Sequence, residues 1–148
     1  MPDSNLVAHA IVLGAVSGMR SLLGLALLAW LGGPDLGWLS NFWVRVVLGL
    51  AAAAEIVNDK LPKTPSRLIP PALIGRLVLG GTCGGLVMWR GQATVWIGIG
   101  LGALSAAGGA VVGSKVRAFL GRKTGLPDPV FGALEDVVAI GLGVWAAM

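Results

Sequence analysis

The chain has 148 residues, of which 55% are hydrophobic and only 12% are charged, whereas a soluble globular domain carries about 25% charged residues. This composition excludes a water-soluble domain of any size. A formal net charge of +4 is compatible with a nucleic-acid-binding protein, but the basic residues lie between hydrophobic stretches and form no patch with interleaved aromatic residues. We therefore expect no nucleic-acid partner.

Hydrophobic stretches recur along the chain, and a helix of about 20 mainly apolar residues is needed to cross the hydrocarbon core of a bilayer. The predicted fold is an all-α, polytopic membrane helix bundle of about five transmembrane helices, forming a single domain over residues 1–148. The first span contains Gly14, Gly18 and Arg20, which suit a broken helix as well as a continuous one. The predicted spans cover residues 6–31, 38–58, 68–89, 94–114 and 129–148.

The connectors between these spans predict the orientation, because cytoplasmic loops are enriched in Lys and Arg. Connectors 58–67 and 115–123 are rich in basic residues and are predicted to be cytoplasmic. Connectors 32–37 and 90–91 hold at most one basic residue and are predicted to be external. Alternation then places the N-terminus in the cytoplasm and the C-terminus outside.

All six tryptophans fall on the predicted external side, where connectors and span ends meet the membrane interface that Trp prefers. This distribution supports an orientation that was drawn from Lys and Arg alone. The residues are Trp30, Trp38, Trp43, Trp89, Trp96 and Trp145.

Four GxxxG pairs occur within the spans, and such pairs let helix backbones approach closely. They predict tight packing and leave open whether it lies within one chain or between subunits. Because five short spans are few to enclose a pathway, we expect a homo-oligomer. The pairs are Gly14 with Gly18, Gly80 with Gly84, Gly98 with Gly102, and Gly109 with Gly113.

Two stretches of the chain resemble each other, residues 14–24 and residues 109–121. Each copy precedes a helix with an acidic residue, Glu55 in one case and Glu135 in the other. In the predicted topology the first and fourth spans run in opposite directions, so the copies predict an inverted repeat. The alternative is that helices rich in small residues resemble each other by composition alone.

Ionisable residues lie inside the predicted spans, although each costs roughly 2.5–3.5 kcal/mol at the helix centre on insertion scales. Glu55 and Asp59 are four residues apart and share one face of the second helix. Glu135 and Asp136 lie in the early turns of the fifth helix, where the helix macrodipole favours carboxylates.

Two interpretations of these charges stay open. In one, Arg20 and Arg76 neutralise Glu55 and Glu135 as buried pairs that fix the helix register. In the other, the charges line a water-filled cavity, open to the cytoplasm, that binds a small ion or an anionic headgroup. The candidate cavity residues are Arg20, Glu55, Asp59, Lys60, Arg76, Arg117, Glu135 and Asp136.

Motifs of enzymes and cofactor sites are missing from the sequence. His9 is the only histidine, Cys83 is the only cysteine, and no HExxH, Walker or dinucleotide motif occurs. We interpret His9 as a small polar group near the cytoplasmic start of the first helix and Cys83 as a packing residue. The sequence therefore predicts no enzymatic activity, no metal site and no cofactor.

Three short motifs carry a resemblance to a known family. They are residues 17–20 (SGMR), residues 55–62 (EIVNDKLP), and residues 124–129 (TGLPDP) followed by Glu135 and Asp136. With them the chain resembles, over nearly its whole length, a bacterial membrane family catalogued as domain of unknown function 4126. The resemblance implies a multi-pass protein of the bacterial inner (plasma) membrane and implies no activity.

Our leading hypothesis is a small transporter or channel-like protein with a charged cavity on the cytoplasmic side. The alternative is a non-transporting structural or accessory subunit that binds another membrane protein through its glycine-rich faces. An enzyme acting on a lipid headgroup comes third. The expected partners are the lipid bilayer, further copies of the chain, and a small ion or anionic headgroup.

Overall fold

A computed structural model describes residues 3–61 and 68–148. Lys63 and Arg67 of the predicted basic connector therefore lie outside the described residues, as do Pro62 and Pro65. The regular structure in the described part of the chain is helical throughout, which confirms the predicted all-α class. The elements are α1 (Ser4–Met19), α2 (Leu23–Leu31), a 3-10 segment (Pro34–Ser40), α3 (Phe42–Asn58), α4 (Pro70–Arg90), α5 (Val95–Thr124) and α6 (Asp128–Ala147).

Several of these helices have the length and composition of membrane spans. Helices α4, α5 and α6 are each long and apolar enough to cross a bilayer. The 3-10 segment and α3 pass the same test together, with a bend of 69° between them. Helix α1 is apolar but shorter, at 16 residues. These elements give three to four candidate spans, and α1 adds one shorter apolar helix, so the structure fits the predicted membrane bundle of about five apolar helices.

The first predicted span, residues 6–31, is not one continuous crossing. The chain leaves the helix at Arg20, with φ −136° and ψ 108°, and α2 begins only at Leu23. The chain also reverses direction at this break. The reversal is seen in the packing of Gly24 of α2 beside Leu13 and Ser17 of α1. Helices α1 and α2 thus form an antiparallel hairpin. The sequence left a break open but did not show the reversal, because the residues that stabilise it lie on distant helices.

The reversal changes the predicted topology. The His9 ring lies 4.8 Å from the Trp145 ring, centroid to centroid, and Gly91 packs against Leu6. The start of α1 therefore lies at the same end of the bundle as the ends of α4 and α6. The predicted topology placed these two ends of the bundle apart, and the structure differs because the hairpin adds one reversal to the chain path.

The predicted inverted repeat is also wrong for the pair of helices on which it rested. Gly14 of α1 faces Gly102 of α5, and Gly18 faces Ala106, so position along both helices increases together. Helices α1 and α5 are therefore parallel. The two copies differ in shape as well, since the chain breaks at Arg20 whereas α5 continues through the matching arginine.

Glycine lets these helices approach at the level of the backbone. Gly80 and Gly84 of α4 face Gly102 and Gly98 of α5, and an added Cβ at any of these four positions would collide with backbone of the facing helix. Close approach of this kind is what small-xxx-small motifs provide in membranes. These GxxxG pairs act within one chain, so homo-oligomerisation stays a prediction that gains no support from them.

Helix α5 is longer than predicted and includes the connector predicted at residues 115–123. It ends at Thr124, where Gly125 has φ +66° and its N–H donates to the Gly121 carbonyl. A left-handed glycine just beyond the last turn is a common helix terminator, and Pro127 follows it. The basic residues of this region therefore lie on a continuous helix and not in a loop.

The tryptophans lie at one end of the bundle. They come from the end of α2, the 3-10 segment, the start of α3, the end of α4, the start of α5 and the end of α6. We call this end of the bundle the tryptophan end. Arg90 lies here and donates to the carbonyl oxygens of Gly32 at 3.1 Å and Ala147 at 2.9 Å. It thereby satisfies the last carbonyls of α2 and α6. The tryptophans are Trp30, Trp38, Trp43, Trp89, Trp96 and Trp145.

A charged cluster at the helix break

The opposite part of the bundle holds the break between α1 and α2 and most of the buried charge. All eight residues predicted as cavity residues from the sequence meet here, contributed by the break, α3 and its C-terminal turn, α4, α5 and α6. Asp128 joins them at the start of α6. We call this set the charged cluster: Arg20, Glu55, Asp59, Lys60, Arg76, Arg117, Asp128, Glu135 and Asp136.

Glu55 of α3 caps the N-terminus of α2. Its Oε1 accepts hydrogen bonds from the Ser21 backbone N–H at 2.8 Å and the Ser21 hydroxyl at 2.5 Å. Its Oε2 accepts one from the Leu22 N–H at 2.9 Å. The first N–H groups of a helix have no partner inside it and carry the positive end of the macrodipole. A carboxylate from another helix therefore satisfies the groups that the break exposes.

Arg76 of α4 serves the other side of the break. Its Nη1 donates to the Gly18 carbonyl oxygen in the last turn of α1 at 2.7 Å. Its Nη2 lies 3.7 Å from Glu55 Oε1. One arginine and one glutamate thus form an ion pair and also stabilise the two helix ends that meet at the break.

Arg20 is the most deeply buried charge of the cluster, with 0% of its side chain exposed. Its Nη1 lies 2.6 Å from Asp59 Oδ2, and its Nε donates to Asp136 Oδ1 at 2.5 Å. Its Nη2 lies 3.5 Å from the Gly132 carbonyl oxygen. Moving a charge from water into a protein interior costs several kcal/mol, so two close carboxylates are needed to offset the burial of this guanidinium.

Two further cations extend the network to the solvent. Lys60 Nζ donates to Asp136 Oδ2 at 2.6 Å. Arg117 Nη1 donates to Asp59 Oδ2 at 2.7 Å, and its Nε and Nη2 form a bidentate pair with Asp128 at 2.6 and 2.5 Å. Asp59 and Asp136 therefore each contact two cations, which links α3 to the break, to α5 and to α6.

The observed pairs differ in part from the pairs expected from the sequence. Arg76 does lie near Glu55, as expected. Arg20 contacts two aspartates and neither glutamate, while Glu135 Oε2 lies 3.7 Å from Arg117 Nη1. The difference arises because the hairpin places Arg20 beside the C-terminal end of α3, where an aspartate is the nearest acid.

Two participants were missed in the sequence. Ser21 donates twice to Glu55, and its polar side chain next to an arginine within an apolar run was the available signal. Asp128 lies in the first turn of α6, just after Pro127, in a position where carboxylates stabilise a helix N-terminus. Nothing in the local pattern showed that Asp128 binds Arg117.

A groove of about 590 Å³ lies beside the charged cluster, between α1, α5 and α6. Arg117 and Glu135 reach its wall, and the remaining lining residues are apolar or small, apart from Ser105. Arg20 and Asp136 are buried away from it. Glu55 instead borders an open depression on α3, next to Ala51 and Ala54.

Among residues 3–61 and 68–148, no group of three His, Cys, Asp or Glu side chains is placed to hold a metal ion. The carboxylates of the charged cluster are engaged by arginine and lysine instead.

A family model described as "Domain of unknown function (DUF4126)" matches residues 7–148. No curated protein matches the chain, and no solved structure matches it. Because the match covers nearly the whole chain, this protein belongs to the DUF4126 family of domains of unknown function.

Proposed function

We propose that this protein is a small transporter or channel-like membrane protein in which α3 moves and the charged cluster forms the gate. The observation that carries the proposal is the position of Glu55. It is a carboxylate on one helix that occupies the N-terminus of a half-helix, α2, on another. In transporters with broken helices, the N-terminus of a half-helix points at an anionic group of the substrate.

The packing of α3 supports a moving role. Helix α3 packs mainly against α2 and the 3-10 segment, and Ala52 is its only buried residue. The large side chains of Val47, Leu50 and Val57 are exposed. Its links to α5 and α6 run through Asp59 and Lys60, which follow its last turn. A helix held by few apolar contacts and several ion pairs can separate when one of the charges changes.

The chemistry of the gate follows from the hydrogen bonds of Glu55. While ionised, Glu55 accepts from Ser21 and Leu22 and occupies the anion site at the start of α2. A proton on Glu55 would weaken its attraction to Arg76 and to the half-helix. In the proposed gate, α3 then moves outward and leaves the α2 N-terminus open to an anionic group. Carboxylates inside membranes commonly serve as proton sites in transporters, so we propose a proton as the coupling ion. The gate needs no catalytic step.

The test is the substitution Glu55→Gln in purified protein reconstituted into vesicles. Proton flux is measured with an entrapped pH-sensitive dye under a potassium diffusion potential, and stability is measured by thermal unfolding. Gln keeps the size and one acceptor oxygen but cannot ionise. Asp35→Asn is the matched control, because Asp35 is an exposed carboxylate in the 3-10 segment, away from the cluster.

A gate predicts that the wild type conducts protons, that Glu55→Gln changes the flux while retaining a folded protein, and that Asp35→Asn behaves as wild type. Loss of stability in Glu55→Gln, with no proton flux in either protein, would mean that Glu55 is a structural partner only.

A second candidate function is a non-transporting structural or accessory subunit. The complete burial of Arg20 between two aspartates favours it, because such pairs fix helix register without any change of state. Under this alternative the charged cluster stays closed, and the same vesicle experiment gives no flux. Self-association belongs to either candidate and is measured by the mass of the purified protein in detergent.

A further inference from the structure

The groove between α1, α5 and α6 is mostly apolar, in contrast to the charged cluster at its end. Its floor is formed by Ala15 and Met19 of α1, and its walls by α5 and α6. The volume of about 590 Å³ falls within the range of about 300–1,000 Å³ that is typical of small-molecule sites. The walls include Gly108, Val112 and Val116 of α5, and Leu134, Glu135 and Val138 of α6.

The groove opens sideways, toward the surface that faces lipid. Val112, Leu134 and Val138 line it and are also exposed, by 60%, 58% and 54%. A long apolar groove with exposed apolar edges on a membrane-spanning surface matches a hydrocarbon chain better than it matches a water-soluble ligand.

The charged end of the groove is basic on the α5 side. Groove-lining positions on α5 follow the helical spacing from Gly109 through Val112 and Val116 to Leu120, and Lys123 is the next position on that stripe. Its Nζ lies 5.1 Å from the centre of the Phe119 ring. An ammonium group one turn beyond the apolar lining is placed to meet the phosphate of a lipid whose acyl chain fills the groove.

We propose that this groove binds an anionic phospholipid, with one acyl chain between α5 and α6 and the phosphate at Lys123. The proposal does not depend on the gate, because it uses the groove and the last turn of α5. The complementarity between an anionic headgroup and Lys123 on the α5 side distinguishes the proposal from a second copy of the chain, whose α5 would bring another Lys123.

The test measures binding of phosphatidylglycerol and of phosphatidylcholine with the same acyl chains. The full chain is purified in detergent, each lipid is added, and bound lipid is counted by native mass spectrometry. Gly108→Leu fills the groove, and a Cβ at Gly108 meets nothing within 4 Å, so the variant should fold. Gly100→Leu is the matched control, because Gly100 lies on the same helix, is equally open, and does not line the groove.

We expect wild type and Gly100→Leu to bind phosphatidylglycerol about fivefold more tightly than phosphatidylcholine, the preference that one lysine provides near a membrane surface. Gly108→Leu should lose tight binding of both lipids. Lys123→Gln should still bind both lipids but should lose the preference for phosphatidylglycerol. Lys115→Gln is the control, because Lys115 lies one residue before the stripe position Val116, and it should keep both the binding and the preference. If Gly108→Leu is misfolded by circular dichroism, Val112→Trp blocks the groove from its exposed edge and replaces it.

Unchanged lipid binding in the groove-filling variant would overturn the proposal. So would a loss of dimers in that variant without a change in lipid binding, because a second copy would then cover the groove. Equal binding of both lipids by the wild type would show that the site does not select a net negative charge, and it would overturn the assignment of an anionic headgroup to Lys123.

Discussion

Replacement of Arg20 by methionine tests the part of the fold on which the charged cluster depends. Arg20 is wholly buried, and its guanidinium contacts Asp59 at 2.6 Å and Asp136 at 2.5 Å. Removing one partner of a buried ion pair costs about 3–5 kcal/mol, because the other charge is left in the interior. Here Asp136 keeps Lys60 and Asp59 keeps Arg117. We therefore expect Arg20→Met to lower the free energy of unfolding by about 3 kcal/mol, the lower limit of that range.

The free energy of unfolding is measured by titrating the purified protein in detergent micelles with sodium dodecyl sulfate and following helix content by circular dichroism. Arg122→Met is the control, since Arg122 is exposed in the last turn of α5 and should change stability by less than about 0.5 kcal/mol. The double variant Arg20→Met with Asp136→Asn should lose less unfolding free energy than the sum of the losses in the two single variants. We expect the difference to be about 1–2 kcal/mol. An Arg20→Met protein as stable as the control would refute the assignment of Arg20 as a buried ionic partner.

Two further predictions concern packing and topology. Gly84→Ala places a Cβ against the Gly98 carbonyl and should destabilise the monomer by about 1–3 kcal/mol; a change in oligomer mass with unchanged stability would instead place this face between subunits. For topology, cysteines introduced at Ser4 and Met148 in a Cys83→Ala background should react with a membrane-impermeant maleimide from the same side of the membrane. Labelling from opposite sides would contradict the hairpin.

Composition and periodicity predicted the all-helical bundle because a lipid environment imposes simple rules. Runs of about 20 apolar residues with few charges must be helices that span or lie within the membrane. The predicted starts and ends of the helices now numbered α3, α4 and α6 coincide with the structure to within a few residues. The end of α5 was missed because basic residues were assigned to a loop, although they are also good helix formers.

The topology could not be predicted in the same way. No local sequence pattern distinguishes a 26-residue apolar run that crosses the membrane once from a hairpin of two shorter helices. The hairpin is stabilised by Glu55 and Arg76, which are distant in sequence and satisfy the backbone groups at the break. The charges predicted from the sequence as cavity residues lie together as ion pairs in the structure, because an intramembrane charge needs a partner. Their role in a cavity stays a prediction. Their individual pairing depended on the reversal at Arg20, so it could not be read from the sequence.

The central proposal, that neutralising Glu55 releases α3 from the bundle, is tested most directly by a distance measurement. Spin labels are attached at Val57→Cys on α3 and Val130→Cys on α6, both exposed positions, in a Cys83→Ala background, and distances are measured by pulsed electron paramagnetic resonance in lipid nanodiscs. We predict one narrow distance distribution for the parent and for Asp35→Asn, and an additional longer distance in Glu55→Gln. The same single distribution in all three proteins would contradict a moving α3 and leave the charged cluster as a fixed structural element.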